Sequence, residues 1–399
     1  MGEIFTDLVR GSASKILLVV LDGLGGFRTS ERRSELHSAA TPNLDRLAFE
    51  GSSGLQTLVS PGITPGSGAG HLALFGFDPT SFELGRGALS AAGIGFELEP
   101  GDVAARVNFC TLDEAGIIVD RRAGRISSDE NRRLCKTVLD GIDTPSGVQL
   151  FLETERDHRA LMVLRGEGLS PEISDTDPQV TGVPPLPPTA IDPAAATTAN
   201  LLIEILQQAG ALLKDEKANF ILLRGFDTLR PVPSFSQRYK LDAMGIAGYP
   251  MYIGIARLLG MTVSQPQSTF ADEVAVLTSS WKDHEFFYVH QKATDSAGED
   301  GDFDRKVAAI EQVDREVERM MALQPDVICV TGDHSTPSQM RSHSWHPVPF
   351  LMRGPLVPVD DVDRFNEEDA RLGGFGQVMG KDLMPLMLAA AGKLVKFGA

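Results

Sequence analysis

The chain has 399 residues, 42% hydrophobic and 23% charged, an ordinary globular composition and a length sufficient for two domains with large cores. Its 37 Lys and Arg stand against 54 Asp and Glu, a net charge of −17, which excludes general affinity for nucleic acid or anionic membranes because both repel such a surface. A small anion held in a local basic pocket remains compatible with that charge. Three widely spaced cysteines, Cys110, Cys135 and Cys329, suggest neither a disulfide framework nor a Cys-based zinc site. The N-terminus shows no signal-type apolar stretch and no run of about 20 apolar residues occurs, so a cytoplasmic protein is expected.

In chain order, the first strong element is the apolar run 16–21, whose pattern predicts a strand buried on both faces. It ends at Asp22 and a cluster of glycines, so an acidic side chain stands at the carboxyl edge of the sheet. A helix is expected from Pro42, with Thr41 as N-cap. The stretch 64–71 is a Gly-rich turn that presents Ser67 just before a helical segment, against free backbone N–H groups that favour an anionic oxygen. Gly-rich turns of this kind are also common as plain connections.

From 102 to 188 the pattern changes to short alternating segments separated by Gly, Asp and Ser, which predicts a smaller, largely antiparallel sheet. The expected division is therefore an α/β core formed by 1–101 and 189–399, interrupted by an inserted α+β domain at 102–188 with the Pro-rich 183–188 as exit linker. The insertion carries Arg121, Arg122, Arg125, Arg156, Arg159 and Arg165 with His158. Some of these cations are simply solvated, yet a guanidinium cluster is what bidentate recognition of carboxylate or phosphate requires.

A helix is expected over 198–210, a strand at 220–223 ending in Arg224, and a helix within 244–261 that stops at Gly260. Residues 286–290 read as another strand, leading into an acidic loop, 291–302, with Lys292, Asp295 and Glu299. An amphipathic helix follows over 306–321. The β-branched run 327–330 then delivers Asp333 and His334 at its carboxyl end, with His343 and His346 close behind. Three strand ends thus carry Asp22, Asp295 and Asp333. Capping and solvated-loop explanations exist for each acid singly, but the recurrence of metal-type ligands at strand ends argues for a shared site.

The segments LDGLG, TPGSGAGHLALFGFDP, GRGALSAAGIGFEL, VDRRAGRI, TDSAGEDGDFDRKV, TGDHSTP and HSWHPVPF together resemble the archaeal-type cofactor-independent phosphoglycerate mutases of the alkaline phosphatase superfamily. The resemblance runs over nearly the whole chain. It implies an alkaline-phosphatase-like core with a mostly parallel sheet flanked by helices, and two divalent metal ions. One ion would be held by Asp22, Ser67, Asp333 and His334, and the other by Asp295, His343 and the residue at position 299. Manganese is the first expectation, with cobalt, zinc and magnesium as alternatives. Ser67 would be the nucleophile, forming a phosphoserine, while Arg121, Arg122, Arg125, His158, Arg159, Arg224 and Lys292 would bind the phosphoglycerate. Many family members have His where this chain has Glu299; a carboxylate can also ligate a divalent ion, and His346 is the other residue able to complete that set.

Three other readings keep the same scaffold: a phosphatase or homoserine-kinase-like phosphotransferase, a phosphodiesterase, and a non-catalytic binding module. Ser67 with its surrounding ligand set speaks against the last. Lys292 and the arginines favour a compact, strongly anionic monoester. The oligomeric state is left open by the sequence.

Overall fold

The structure, a computed structural model, describes residues 6–81, 85–229 and 232–398. Apolar, β-branched and aromatic runs form strands where both faces are covered. Ile16–Leu21, Phe286–Gln291 and Val327–Thr331 are buried along their whole length and lie side by side, parallel, within an eight-stranded sheet. Across the sheet the order is Gly376–Met379, Ser52–Thr57, Val348–Arg353, Val327–Thr331, Ile16–Leu21, Phe286–Gln291, Ala243–Ala247 and Thr262–Val263. Only Val348–Arg353 runs antiparallel to its neighbours among the described strands of this sheet.

Helices Pro42–Phe49, Phe270–Ser280 and Phe303–Met321 send Leu44, Leu47, Val274, Leu277, Ile310, Val313 and Val317 into one apolar cluster with Leu17, Val19, Ile328 and Val330. Each large side chain buried in this way is worth roughly 1.5–3 kcal/mol, so the strands are held firmly in register. That register decides what meets at the sheet edge. Val20 pairs with His290 on one side and Thr331 on the other, so Asp22 leaves the sheet level with Lys292 and Asp333. The expected loop after Phe286–Gln291 is instead a helix, Ala293–Asp300, closed by Gly301 in the left-handed region at φ 75°. Within 244–261 the expected helix is Pro250–Leu258, stopped by Gly260 in the left-handed region at φ 72°, and the strand Ala243–Ala247 precedes it.

The chain divides into two compact units, Met1–Glu83 with Pro233–Ala399, and Leu84–Val232. The second is wider than the expected 102–188, and pairing explains why. Phe220–Asp227 pairs antiparallel with Val103–Leu112, and helix Ala196–Leu213 packs in the same apolar cluster, so both belong with the insertion. The Pro-rich 183–188 is no exit linker: Ile118 N–H donates to Val183 O at 3.0 Å and Leu186 N–H to Thr176 O at 2.9 Å, inside the second unit. The sheet there is antiparallel throughout, with Val103–Leu112 joining Ile118–Asp120, Arg159–Arg165 and Phe220–Asp227, and Gln149–Arg156 beyond Arg159–Arg165. Along Val103–Leu112, Val103, Ala105, Val107 and Phe109 face helices Ser128–Gly141 and Ala196–Leu213, while Ala104 faces helix Arg86–Ile94. All three cysteines are free and buried. Among the described residues no helix is long and apolar enough to cross a membrane.

Candidate functional site

In the first unit, strand ends and one helix start bring the expected residues together. Ser67 is the first residue of helix Ser67–Leu74, whose leading N–H groups have no intrahelical partner. The helix can approach because Gly70 lies against the backbone of Asp333: a Cβ there would sit 2.0 Å from Asp333 O. Ser67 Oγ lies 3.2 Å from His334 Nε2. The same nitrogen is 3.2 Å from Asp22 Oδ1 and 3.3 Å from Asp333 Oδ2. His343 Nε2 is 3.5 Å from Asp295 Oδ1, and its ring stacks on that of His334 with centroids 3.6 Å apart.

Two ligand groups result, Asp22–Asp333–His334 and Asp295–His334–His343, each with its donor atoms within 4.8 Å of one another. The donor set fits a divalent cation. Asp22 Oδ1 and Asp333 Oδ2 are buried carboxylate oxygens without a hydrogen-bond partner, a costly state for anions unless a cation sits beside them. Mixed carboxylate and imidazole donors suit manganese, cobalt or zinc.

Behind the donors stands a second layer. Thr336 Oγ1 donates to Asp295 Oδ1 at 2.7 Å, which leaves it to accept from His334 Nδ1–H at 2.9 Å. With Nδ1–H committed to Thr336, Nε2 donates toward Asp22 while the ring is protonated and offers its lone pair to a cation once the ring is neutral. Asp22 Oδ2 is held by Tyr252 Oη, by His290 Nε2 at 3.2 Å and by Lys292 Nζ at 3.0 Å; Lys292 also reaches Asp295 Oδ2 at 2.5 Å. His71 Nδ1 donates to Ser67 O at 2.8 Å and lies 3.2 Å from Asp333 Oδ2. Burial alone would raise the Asp22 carboxyl, but Lys292 and the neighbouring His290 and His334 outweigh it and hold the group well below the usual range. Burial likewise opposes a charge on His334, yet Asp333 and Asp22 hold its proton up to about 9. Burial and the neighbouring His334 push His343 down.

Glu299 does not join either group. It sits one helical turn beyond Asp295, about 6 Å along the axis, and is exposed where Asp295 is buried. His346 stacks between Phe27 and Trp345 and lies 3.0 Å from Ser344 Oγ, outside both groups as well.

In the second unit the sheet register builds a cationic face. Arg106 pairs with Arg224 on one neighbouring strand and Asn108 with Arg159 on the other, so the three guanidinium groups start from the same side of the sheet. Helix Arg86–Ile94 covers that side and brings Arg86. Burial and the charges of Arg106, Arg224 and Arg159 bring Arg86 down to about 9. Burial, with Arg159, Arg122, Arg106 and Arg125 around it, brings His158 down to about 3. Nε of Arg106, Nε of Arg224 and Nδ1 of His158 are buried without a hydrogen-bond partner. Arg224 also lies 3.6 Å from Asp175 and 3.7 Å from Asp177, so the face is partly compensated, but the excess of crowded cations and the donors left over suit an anion.

Not every expected cation serves there. Arg121 closes a bidentate pair with Asp177, at 2.9 and 2.7 Å, which occupies its fork. Arg165 is held by Asp102 and Glu99 in the same way. Arg86 and Arg106 were not singled out from the sequence. The available signal was a lone arginine inside the alternating apolar run of residues 103–109, on the face opposite Val103, Ala105 and Val107.

A family model described as 2,3-bisphosphoglycerate-independent phosphoglycerate mutase matches residues 48–219. A Thermus thermophilus protein named "Probable 2,3-bisphosphoglycerate-independent phosphoglycerate mutase" is 46% identical over 99% of both chains, and a Deinococcus radiodurans protein of the same name is 48% identical over 98% of this chain and 99% of its own. Among solved structures, a Pyrococcus horikoshii protein covers 97% of this chain and 99% of its own at 30% identity with a TM-score of 0.82. The cofactor-independent phosphoglycerate mutase of Thermoplasma acidophilum covers 95% of this chain and 100% of its own at 31% identity and a TM-score of 0.67. At this identity and coverage, the chain belongs to the 2,3-bisphosphoglycerate-independent phosphoglycerate mutase family.

Proposed function

We propose that the protein interconverts 3-phosphoglycerate and 2-phosphoglycerate without bisphosphoglycerate, by passing the phosphoryl group through Ser67. The observation that carries this reading is the convergence of Ser67 Oγ, His334 Nε2, Asp22 Oδ1 and Asp333 Oδ2, the first three linked by contacts of 3.2 Å, at a helix N-terminus in a chain of this family. Two divalent ions, manganese first, would supply positive charge that lowers the pKa of the Ser67 hydroxyl and spreads the charge of a phosphoryl group in transfer. Asp22, Asp333, His334 and Ser67 would hold one ion, and Asp295 and His343 the other. Glu299 stands one turn away from that second set and His346 outside it.

In the forward half, Ser67 Oγ loses its proton and bonds to phosphorus as the bond from phosphorus to the C3 oxygen breaks; that oxygen takes a proton. In the second half the C2 hydroxyl loses its proton and bonds to the same phosphorus, and the Ser67 oxygen leaves. Lys292, between Asp22 and Asp295, keeps a cation beside the transferring group. The arginine face of the second unit supplies recognition of the carboxylate and phosphate of a compact, strongly anionic monoester, with Arg106 and Arg86 added to Arg122, Arg125, His158, Arg159 and Arg224, and Arg121 reserved for Asp177.

The test is an enolase-coupled assay on metal-stripped protein resupplied with manganese, cobalt, zinc or magnesium, with released phosphate followed in parallel. Metal-dependent formation of 2-phosphoglycerate without added bisphosphoglycerate, abolished in Ser67→Ala, is expected. Phosphate release alone would overturn the mutase reading in favour of a phosphatase.

A further inference from the structure

Helix Phe303–Met321 carries, on its buried side among Ala309, Ile310, Val313, Asp314, Val317 and Met320, a lysine with no exposure at all, Lys306. Its ammonium has three donors and three acceptors: Gly23 O at 2.9 Å, Gly25 O at 3.2 Å and Thr336 O at 2.8 Å. None of these is a side chain, and none belongs to its own helix. Gly23 follows Asp22 directly, and Gly23 N–H donates to Asp333 Oδ1 at 3.1 Å. Thr336 stands two residues beyond His334, and its hydroxyl bridges His334 and Asp295. One ammonium therefore pins the turn after the Asp22 strand to the turn after the Asp333–His334 strand. Thr336 N–H completes the joint, donating to Gly23 O at 3.2 Å and Gly25 O at 3.1 Å.

The surroundings show that this arrangement is built rather than incidental. Burial holds the Lys306 ammonium below its usual range, and two further buried groups, Glu35 and Glu367, offset part of that. They brace the same two turns from the other side. Glu367 Oε1 accepts from Gly26 N–H at 2.9 Å and Oε2 from Ser34 Oγ at 2.5 Å. Glu35 Oε1 accepts from Ser338 N–H at 2.8 Å and Ser338 Oγ at 2.5 Å. A methionine would fill the volume of Lys306 without the desolvation cost of a charge, but it would take the ammonium donor from Thr336 O and leave Gly23 O and Gly25 O with the shared Thr336 N–H alone. What needs holding is clear from the donor geometry. Asp22 Oδ1 and Asp333 Oδ2 both close on His334 Nε2, at 3.2 and 3.3 Å, and two carboxylates brought this near to each other repel, so their backbone turns must be tied from behind.

We infer that Lys306 is a positioning residue of the metal centre: by clamping Gly23, Gly25 and Thr336 it fixes the distance between the Asp22 turn and the Asp333–His334–Thr336 turn, and thereby the affinity for the metal ion these ligands share. This rests on the metal-centre part of the function proposed above and on no feature of the phosphoryl transfer itself.

The experiment titrates Mn2+ into metal-stripped wild-type protein, Lys306→Met and Lys393→Met, by calorimetry and by electron paramagnetic resonance, with thermal melts of the metal-free proteins alongside. Lys393 is the control, a lysine equally buried in the same unit that donates to Ser12 O at 2.6 Å and pairs with Glu285 at 3.6 Å. Both variants lower the melting temperature. Lys306→Met is expected to bind Mn2+ at least about tenfold more weakly, the scale of losses from supporting residues of metal sites, with an altered spectrum, while Lys393→Met binds it as wild type does. Mn2+ affinity of Lys306→Met within twofold of wild type, or an equal loss in Lys393→Met, overturns the inference. If Lys306→Met does not fold, Lys306→Gln is read by the same criterion, and failure of both to fold also counts against it, because Lys306 would then be a determinant of the core as a whole. Wild-type protein that binds no Mn2+ would refute the metal centre itself, an outcome separate from these.

Discussion

Thr336→Val is the sharpest single test of how the candidate centre is wired. The change keeps shape and removes one hydroxyl that donates to Asp295 Oδ1 and accepts from His334 Nδ1. Two consequences follow from the geometry. Stability falls by about 1–3 kcal/mol, because His334 Nδ1–H is left buried without an acceptor. The His334 ring is also freed to move its proton to Nε2, the nitrogen that faces Asp22, Asp333 and Ser67. A ring that must revert to the other tautomer to act as a ligand loses about 10–100-fold in metal affinity or activity, or about 1.4–2.8 kcal/mol. The assays are Mn2+ titration of the metal-stripped protein and mutase kcat at saturating phosphoglycerate, with Thr336→Ser as the control that keeps the hydroxyl. KM for phosphoglycerate should hold, since Thr336 lies in the first unit and the guanidinium cluster in the second. Thr336→Val with wild-type Mn2+ affinity would refute the tautomer argument. So would Thr336→Ser falling as far as Thr336→Val, since the methyl packing would then be what matters.

Three further outcomes are expected. Arg106→Met should raise KM for phosphoglycerate by roughly 10–100-fold, the worth of one hydrogen bond to a charged group, yet hold or raise the melting temperature of the ligand-free protein by relieving crowded cations; Arg121→Met should do the reverse, lowering stability and sparing KM. His158, neutral in the fold down to about pH 3, takes up a proton near pH 6.5 when unfolded, so the unfolded state binds more protons between those values and stability falls by about 1.4 kcal/mol per pH unit as pH drops through that window. Thermal melts from pH 7 to pH 5 should show this loss in wild type and a shallower slope in His158→Gln. Glu273 runs the opposite way: burial holds its carboxyl up to about 9 and leaves Oε2 without a partner, so the folded state keeps a proton that the unfolded state releases near pH 4.5. Glu273→Gln should therefore stabilise the protein at pH 8 in melts, with the advantage closing toward pH 4.5.

What could be read from the sequence and what could not divides along physical lines. Asp22, Asp295 and Asp333–His334 were legible because apolar runs announce buried parallel strands, and in a parallel sheet the residues just past the strand ends converge whatever the loops do. The Gly-rich turn before a helix marked Ser67 only weakly, as a hydroxyl near free N–H groups, since such turns are common, and the family resemblance supplied its role. Glu299 was placed by its spacing of four from Asp295, which in the helix that forms there is a full turn of rise, enough to separate a buried acid from an exposed one. The insertion was drawn too narrow because a strand such as Phe220–Asp227 declares that it is a strand but not its partner, and here the partner, Val103–Leu112, is more than a hundred residues earlier.

The arginines show the same limit most clearly. Charge pattern alone made Arg121 and Arg122 equal candidates, yet Arg121 is neutralised by Asp177, 56 residues away in sequence, and Arg106 was hidden in an apolar strand. Cross-strand register makes the difference: Arg106 opposite Arg224 and Asn108 opposite Arg159 turn three dispersed cations into one face. Lys306 and Thr336 belong to this class too, for both act on backbone or side-chain atoms that sequence distance conceals. Residues that touch the reacting groups tend to sit where local pattern forces them, whereas those that hold them in place are defined by tertiary contact. The balance of repulsion in the molecule reflects that division. Carboxylates crowd in one unit and guanidiniums in the other, and in each a neighbour of opposite charge holds part of the cluster in place, Lys292 against Asp22 and Asp295, and Asp177 against Arg121 and Arg224, so that a cation or an anion binding there relieves repulsion the fold already carries.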